Sequence, residues 1–248
     1  MALESFGYTE FWILLLQIIG VNIVLSGDNA VVIALACRSL SLSQQKKGIL
    51  FGSAGAILLR IVLTFFAARL LTVPYLKLAG AALLIWIGIK LLASEDDGGL
   101  SIEGHGELLA AIKTIITADV VMSLDNIIGV AAAAHGDMAL MVLGLLISIP
   151  LIIFGSTAIM RLMERFPIII IAGAGLLGYV AGDMASTDIS VQSWMDRELH
   201  WAHQVIPLAL ALVVVLAGKW LDRRARAATR PLVDLAELNA RQDSPPKG

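Results

Sequence analysis

The sequence contains the same acidic motif twice, each time inside a long apolar segment. Residues 25–32 are LSGDNAVV and residues 122–129 are MSLDNIIG, so Asp125 follows Asp28 by 97 positions. A carboxylate within the hydrocarbon of a bilayer is costly unless it is paired, hydrated or bound to a ligand. Two such acids in equivalent places therefore predict a functional site, and a cation pathway is the use that we favour.

The apolar segments indicate an all-α membrane protein that crosses the bilayer several times. Hydrophobic residues make up 58% of the chain and charged residues 15%, whereas soluble domains are about 45–50% apolar. A helix needs about 20 apolar residues to span a bilayer. We predict seven transmembrane helices, at about 11–37, 48–71, 75–92, 108–134, 138–160, 167–184 and 203–220.

The charges flanking these spans predict the orientation of the chain. Lys and Arg concentrate in the first, third and fifth loops and after the last span, as at Lys46 and Lys47, whereas Arg69, Lys77 and Arg197 flank the other side. Positive charge marks the cytoplasmic side. We therefore predict one transmembrane domain over residues 1–222, with its N-terminus outside, and a disordered cytoplasmic tail over 223–248.

The first three spans are repeated as the next three. Residues 74–84, PYLKLAGAALL, align with residues 167–177, PIIIIAGAGLL, so repeat one covers about 11–92 and repeat two about 108–184. Because each unit holds an odd number of spans, the second unit must be inverted in the membrane. Inverted repeats are common in secondary transporters, whose sites lie where the repeats meet near the midplane. The seventh span is an unpaired addition.

Aligning the two motifs predicts an oxygen-rich site between the first and fourth spans. Residues at i, i+4 and i+7 share one helix face, and Asp28 and Asp125 each lie about 100° round the helix from the neighbouring Asn. The predicted metal ligands are Asp28, Asn29, Asp119, Asp125 and Asn126, and the supporting polar residues are Asn22, Ser26 and Ser123. Oxygen ligands suit Mg²⁺, Ca²⁺ or Mn²⁺ rather than zinc or copper. Hydrogen bonding between helices is the alternative use of these side chains.

Two further charged residues have alternative roles that the sequence leaves open. Arg60 lies in the middle of the second span, and the fifth span has no cation in the corresponding region near Pro150. It is either a counter-ion that replaces the metal in an empty site or a permanent partner of a buried acid. Asp183 ends the sixth span and is either a gate or a solvated helix end.

These residues together resemble the TerC family of integral membrane proteins, and more closely its short YjbE-type branch. The resemblance extends from about residue 11 to 220 and is most specific in Gly27-Asp28-Asn29 and Leu124-Asp125-Asn126. It implies manganese efflux across a bacterial plasma membrane, with tellurite resistance as the historical family label. It also implies that Asp28, Asn29, Asp125 and Asn126 are the metal residues. The spacing of these residues alone does not identify manganese as the metal.

The predicted function is therefore a secondary transporter that exports a divalent cation, with Mn²⁺ as the favoured substrate. We expect alternating access, in which one three-helix repeat rocks against the other. The sequence has no G-x-x-x-x-G-K-[ST] loop for ATP, and we expect no resident cofactor. Besides the metal, the expected partners are membrane lipids, to which the basic segment 223–226 would anchor. Nucleic-acid binding is not expected, and small-residue clusters leave a homo-oligomer open.

Two other classes of function compete with transport. A membrane scaffold or assembly factor of a metal- or tellurite-resistance system would use the acidic loop 95–107 and the basic tail as docking surfaces. An intramembrane aspartyl protease would use two midplane Asp residues that share a proton. The Tyr-Asp and Gly-x-Gly-Asp signatures of such proteases are absent, and the most similar segment is Val180-Ala181-Gly182-Asp183. We therefore expect no enzymatic activity.

Overall fold

A computed structural model describes residues 12–13, 15–20, 27–70, 72–93, 104–133, 138–199 and 201–242 of the chain. Within these ranges residues 15–20 are helical, no strand occurs, and the named helices are α1 (Gly27–Cys37), α2 (Leu42–Leu70), α3 (Leu76–Ala93), α4 (Gly104–Ala133), α5 (Met138–Arg165), α6 (Ile168–Ser186), α7 (Gln192–Glu198) and α8 (Ala202–Gln242). Side chains at 67–68, 104–105, 125–141 and 225–242 lie outside the described part.

The helices have the lengths and surfaces of a multi-pass integral membrane protein. In the described residues, five segments are long and apolar enough to cross a bilayer: Leu42–Phe66, Leu76–Ala93, Val142–Arg165, Ile168–Ser186 and Ala202–Arg224. Large apolar side chains lie on the outside of the bundle, as with Phe154, which is 74% exposed. Such a surface suits lipid and not water. The prediction of an all-α membrane protein is confirmed.

The structure differs from the sequence-based expectation after the sixth span. A short helix, α7, forms in the loop that the sequence left unassigned. The last helix, α8, has 41 residues and continues to Gln242, whereas we predicted a disordered tail from residue 223. Ala, Arg and Leu are frequent in residues 223–240, and all three favour helix.

The helices pack in two groups. One group contains α3, α6 and α8, each of which packs against the other two. In the other group, α1 and α4 both pack against α2 and against each other, and α5 packs against α1 and α2. The main links between the groups are α3 with α4 and α1 with α6. The two motif-bearing helices, α1 and α4, are therefore neighbours.

Two glycines allow α6 to approach the backbone of α8. A Cβ atom on Gly182 would lie 2.4 Å from the Cα atom of Pro207. A Cβ atom on Gly178 would lie 2.6 Å from the carbonyl oxygen of Leu210. Backbone atoms cannot move aside as the end of a side chain can, so these positions fix the separation of the two helices.

We predict that Gly182→Ala destabilises the protein by about 1–3 kcal/mol, because overpacking forces the backbone apart. Thermal unfolding in detergent measures the loss. Gly106→Ala is the matched control, because nothing lies within 4 Å of a Cβ atom at that helical position. Equal melting temperatures for the two variants would contradict the predicted role of Gly182.

The carboxylate of Asp188 ties the loop after α6 to the beginning of α3. Its Oδ1 accepts hydrogen bonds from the backbone N–H of Tyr75 at 3.1 Å and of Ser190 at 2.9 Å. Its Oδ2 accepts from the backbone N–H of Lys77 at 3.0 Å and of Leu78 at 3.3 Å. The first N–H groups of a helix have no partner within it, so Asp188 caps α3 from a distant part of the chain.

The environment of Asp188 favours its ionised form. The side chain is buried, and burial by itself would raise the pKa of the carboxyl. The hydrogen bonds donated by the Ser190 hydroxyl and by the N–H groups of Ser190, Tyr75 and Leu78 outweigh burial and lower the pKa below its ordinary value. Tyr75 adopts φ of 64°, a left-handed backbone conformation that the cap helps to hold.

We predict that Asp188→Ala destabilises the protein by about 1–2 kcal/mol, the usual cost of losing a helix cap. The stabilising effect of the carboxylate should be complete above about pH 4, the ordinary Asp pKa, and should be lost as the pH falls through the lower pKa of the folded state. Melting temperatures of wild type and variant between pH 3 and 8 test this, with the exposed Asp183→Ala as control. A constant difference down to pH 3 would argue against the cap.

Candidate cation site

The structure describes the side chains of six of the ten residues that we predicted for the site. These are Asp28, Asn29, Arg60, Asp119, Ser123 and Asp183. The predictions for Asn22 and Ser26 fall outside the described residues. Asp125 and Asn126 lie in the helical backbone of α4, but their side chains are outside the described part.

A buried ion pair joins α2 to α4. The Nη2 atom of Arg60 donates to Oδ1 of Asp119, and Nε of Arg60 donates to Oγ of Ser123 at 2.9 Å. Ser123 in turn donates to Oδ2 of Asp119 at 3.2 Å. All three residues are at least 94% buried. The positive charge of Arg60 is therefore matched by Asp119, one helical turn before Ser123.

Small residues in α2 make this contact possible. A Cβ atom on Gly52 would lie 2.7 Å from Cδ1 of Ile115, and one on Gly55 would lie 2.7 Å from Cδ1 of Ile116. The two glycines thus let α2 approach α4 closely, one to two turns before Arg60. This close packing brings the Arg60 guanidinium within reach of α4.

The first Asp-Asn motif lies near this ion pair. Asp28 is close enough to interact electrostatically with both Arg60 and Asp119. Its Oδ1 accepts a hydrogen bond from the backbone N–H of Asn29 at 2.8 Å. Residues from both halves of the chain therefore lie near one another here, and metal binding by Asp28 and Asp119 stays a prediction.

Asn29 has a buried amide without a protein partner. The residue is 3% exposed, and in the described part of the structure neither its side-chain oxygen nor its side-chain nitrogen makes a hydrogen bond. Leaving a buried polar group unpaired costs about 1–3 kcal/mol. The amide oxygen is an acceptor of the kind that hard divalent cations use, so it is free to bind a ligand here.

Asp183 does not join this cluster. It is exposed in the last turn of α6, and its backbone oxygen accepts hydrogen bonds from Ser186 and Thr187. Among residues with described side chains, no three His, Cys, Asp or Glu converge on one point. A complete ligand set therefore needs oxygens from Asn29 or Ser123, or from the second motif.

The sequence reasoning missed Ser53, another buried polar residue of α2. It is 1% exposed, and its hydroxyl has no hydrogen-bond partner in the described part of the chain. Its spacing of seven residues from Arg60 could have identified it, because this spacing places both residues on one face of the helix.

The model of the integral membrane protein TerC family matches residues 8–226. The chain belongs to the TerC family. It is 40% identical over 209 residues to the uncharacterized membrane protein YjbE of Bacillus subtilis, covering 84% of this chain and 95% of that protein. It is 26% identical over 179 residues to the inner membrane protein YgdQ of Escherichia coli, covering 63% and 73% respectively. No solved structure matches the chain.

These comparisons confirm the predicted family, and the similarity to YjbE agrees with the predicted branch. The Bacillus subtilis proteins YceF and YkoY, 23% and 24% identical, are also uncharacterized membrane proteins. The names of these relatives give a membrane location and no substrate.

We predict that Arg60→Met destabilises the protein by about 3–5 kcal/mol, because it leaves Asp119 buried without its partner. The double variant Arg60→Met/Asp119→Leu should recover most of that loss, since it removes both charges. Thermal unfolding in detergent with a chelator present measures both. Additive losses in the double variant would show that the two side chains do not stabilise each other.

Proposed function

We propose that this protein is a secondary transporter that exports a divalent metal cation from the bacterial cytoplasm, with Mn²⁺ as its main substrate. The observation that carries the proposal is the buried amide of Asn29, which has no hydrogen-bond partner among the described residues and directly follows Asp28, whose carboxylate interacts electrostatically with Arg60 and Asp119. Acidic residues inside a membrane bundle are expensive and mark ion pathways. Oxygen ligands favour a hard cation, and the choice of manganese among such cations rests on the resemblance to the TerC family.

The architecture that we propose has seven spans, of which six form two inverted repeats. The pattern of helix contacts supports this pairing. Exchanging α1 with α4, α2 with α5 and α3 with α6 converts the contact of α2 with α4 into that of α5 with α1. It likewise converts the contact of α3 with α4 into that of α6 with α1. The N-terminus is outside, and the C-terminus is in the cytoplasm.

Arg60 supplies the positive charge of the empty site. A divalent cation that approaches Asp28, Asn29 and Asp119 competes with the guanidinium for the oxygens of Asp119. Binding therefore displaces Arg60 from Asp119, and return of Arg60 favours release. Protonation of the carboxylates would assist release, which makes a proton gradient a suitable source of energy.

The motion we propose is not a simple rocking of one repeat against the other. Helices α3 and α6 come from different repeats, yet they pack on each other and on α8. The Asp188 cap also joins the end of α6 to the start of α3. We therefore propose that α1, α2, α4 and α5 move against a stable group of α3, α6 and α8.

A scaffold is the second candidate, and one observation favours it. Helix α8 ends at Gln242, 22 residues beyond Trp220, where we predict the seventh span to end. A protruding helix offers a surface for another protein. In that case purified protein would move no metal, and removal of residues 225–248 would abolish metal resistance in cells.

Proteoliposomes loaded with an Mn²⁺ indicator test transport directly. We expect wild-type flux that increases with a pH gradient, and a loss of at least about tenfold, or about 1.4 kcal/mol in the barrier, for Asp28→Asn and for Asp125→Asn. Asp196→Asn is the matched control, because Asp196 lies in α7 and is paired with His203 at 2.8 Å. Folded wild-type protein that moves no Mn²⁺ would overturn the transporter and favour the scaffold.

A further inference from the structure

A cavity opens between α2 and α5 at one end of the bundle. Its volume is about 260 Å³, enough for several waters at about 30 Å³ each. The polar residues that line it are Gln45, Lys46, Thr157, Arg161 and Glu164. This end carries most of the Lys and Arg residues and is the predicted cytoplasmic side.

Buried hydroxyl groups continue from the cavity into the bundle. Ile49 of α2 lines the cavity, and Ser53 lies one turn further along the same helix face. Met160 of α5 also lines it, and Ser156 lies one turn deeper. Ser53 and Ser156 are each at least 99% buried. Because each serine lies one turn from a residue that lines the cavity, we place both along the contact of α2 with α5 and call this contact the serine seam.

The hydroxyl groups of the seam are available as oxygen ligands. Ser156 and Thr157 donate to the carbonyl oxygen of Ile153 at 3.1 and 2.7 Å, so their lone pairs are left for another partner. Ser53 makes no such bond, and its hydroxyl has no partner in the described residues. A buried hydroxyl without a partner is costly, so Ser53 is adapted to a partner that comes and goes.

The seam leads towards the Arg60–Asp119 pair. Arg60 follows Ser53 by seven residues, which is two helical turns or about 10 Å along the axis. On its other side α2 is closed against α4, where Gly52 and Gly55 touch Ile115 and Ile116. The polar route from the cavity towards Arg60 therefore follows the contact of α2 with α5.

We propose that the serine seam is a water-accessible path and transient binding site through which a hydrated divalent cation passes between the α2–α5 cavity and the Arg60–Asp119 pair. Ser53 is its specificity-determining ligand at the narrow point. The inference rests on the proposed transport of a divalent cation, and it adds the route that the cation takes.

Cysteine labelling tests the seam without requiring transport. The chain has one cysteine, the buried Cys37, so Cys37→Ala gives a background without thiols. Into it we would introduce Ser53→Cys in the seam, Thr157→Cys in the cavity as a positive control, and Leu58→Cys, whose side chain is 64% exposed on the outside of α2. N-ethylmaleimide reacts with the thiolate, which requires water.

We expect Ser53→Cys to react at least about tenfold faster than Leu58→Cys, because a thiol in hydrocarbon carries little thiolate. Mn²⁺ should slow the reaction at Ser53→Cys and leave Leu58→Cys unchanged. Labelling of Thr157→Cys but not of Ser53→Cys would overturn the seam as a path. Labelling of Ser53→Cys that Mn²⁺ does not slow would overturn it as a cation site.

The outcome is distinguishable from failure of the proposed function. If Ser53→Cys is labelled and protected by Mn²⁺ while proteoliposomes show no Mn²⁺ flux, the serine seam is supported as a cation path and the proposed transport function is wrong. If wild type transports Mn²⁺ while Ser53→Cys is inert to the reagent, the function stands and the seam is wrong.

Discussion

The pairing of Arg60 with Asp119 is the interaction on which the rest of the structure depends. Both groups are buried at the contact of α2 with α4, where either charge alone would be strongly unfavourable. Placing each charge against its partner fixes the register and rotation of one helix against the other. Ser123 completes the arrangement by bonding both partners. The buried amide of Asn29 has no hydrogen-bond partner among the described residues, so it is available to a ligand.

The two groups of helices differ in how closely they pack. The group of α3, α6 and α8 is held by backbone contacts at Gly178 and Gly182 and by the cap that Asp188 places on α3. In the group of α1, α2, α4 and α5, a cavity with polar lining lies between α2 and α5, and the buried hydroxyl of Ser53 in α2 has no hydrogen-bond partner among the described residues. A transporter needs both kinds of packing, because one group must hold its shape while another changes it.

Much of this could be predicted from the sequence, because it depends on local properties. The apolar segments that form α2, α3, α5 and α6 are recognisable by length and composition, and the family is recognisable by the doubled Asp-Asn motif. Aligning the two motifs predicts that Asp28 and Asp119 serve one site, and this stays a prediction. The cap by Asp188 could not be predicted, because its partners lie about 110 residues away in the chain. We predicted a disordered tail from residue 223, whereas residues 223–242 are helical, in keeping with their content of Ala, Arg and Leu.

The sequence by itself determined that this is an all-α membrane protein of the TerC family with acidic residues inside its bundle. Hydrophobic length and side-chain type are enough for that conclusion, since the bilayer excludes other ways to satisfy the backbone. Only the tertiary structure decided that Arg60 pairs with Asp119, that the side chains of Asn29 and Ser53 have no hydrogen-bond partner among the described residues, and that Asp188 caps α3. Such choices depend on how far each helix is rotated about its axis and how closely it approaches its neighbour. Close contacts such as those at Gly52 and Gly55 set both quantities, and they bring together residues that are far apart in the chain.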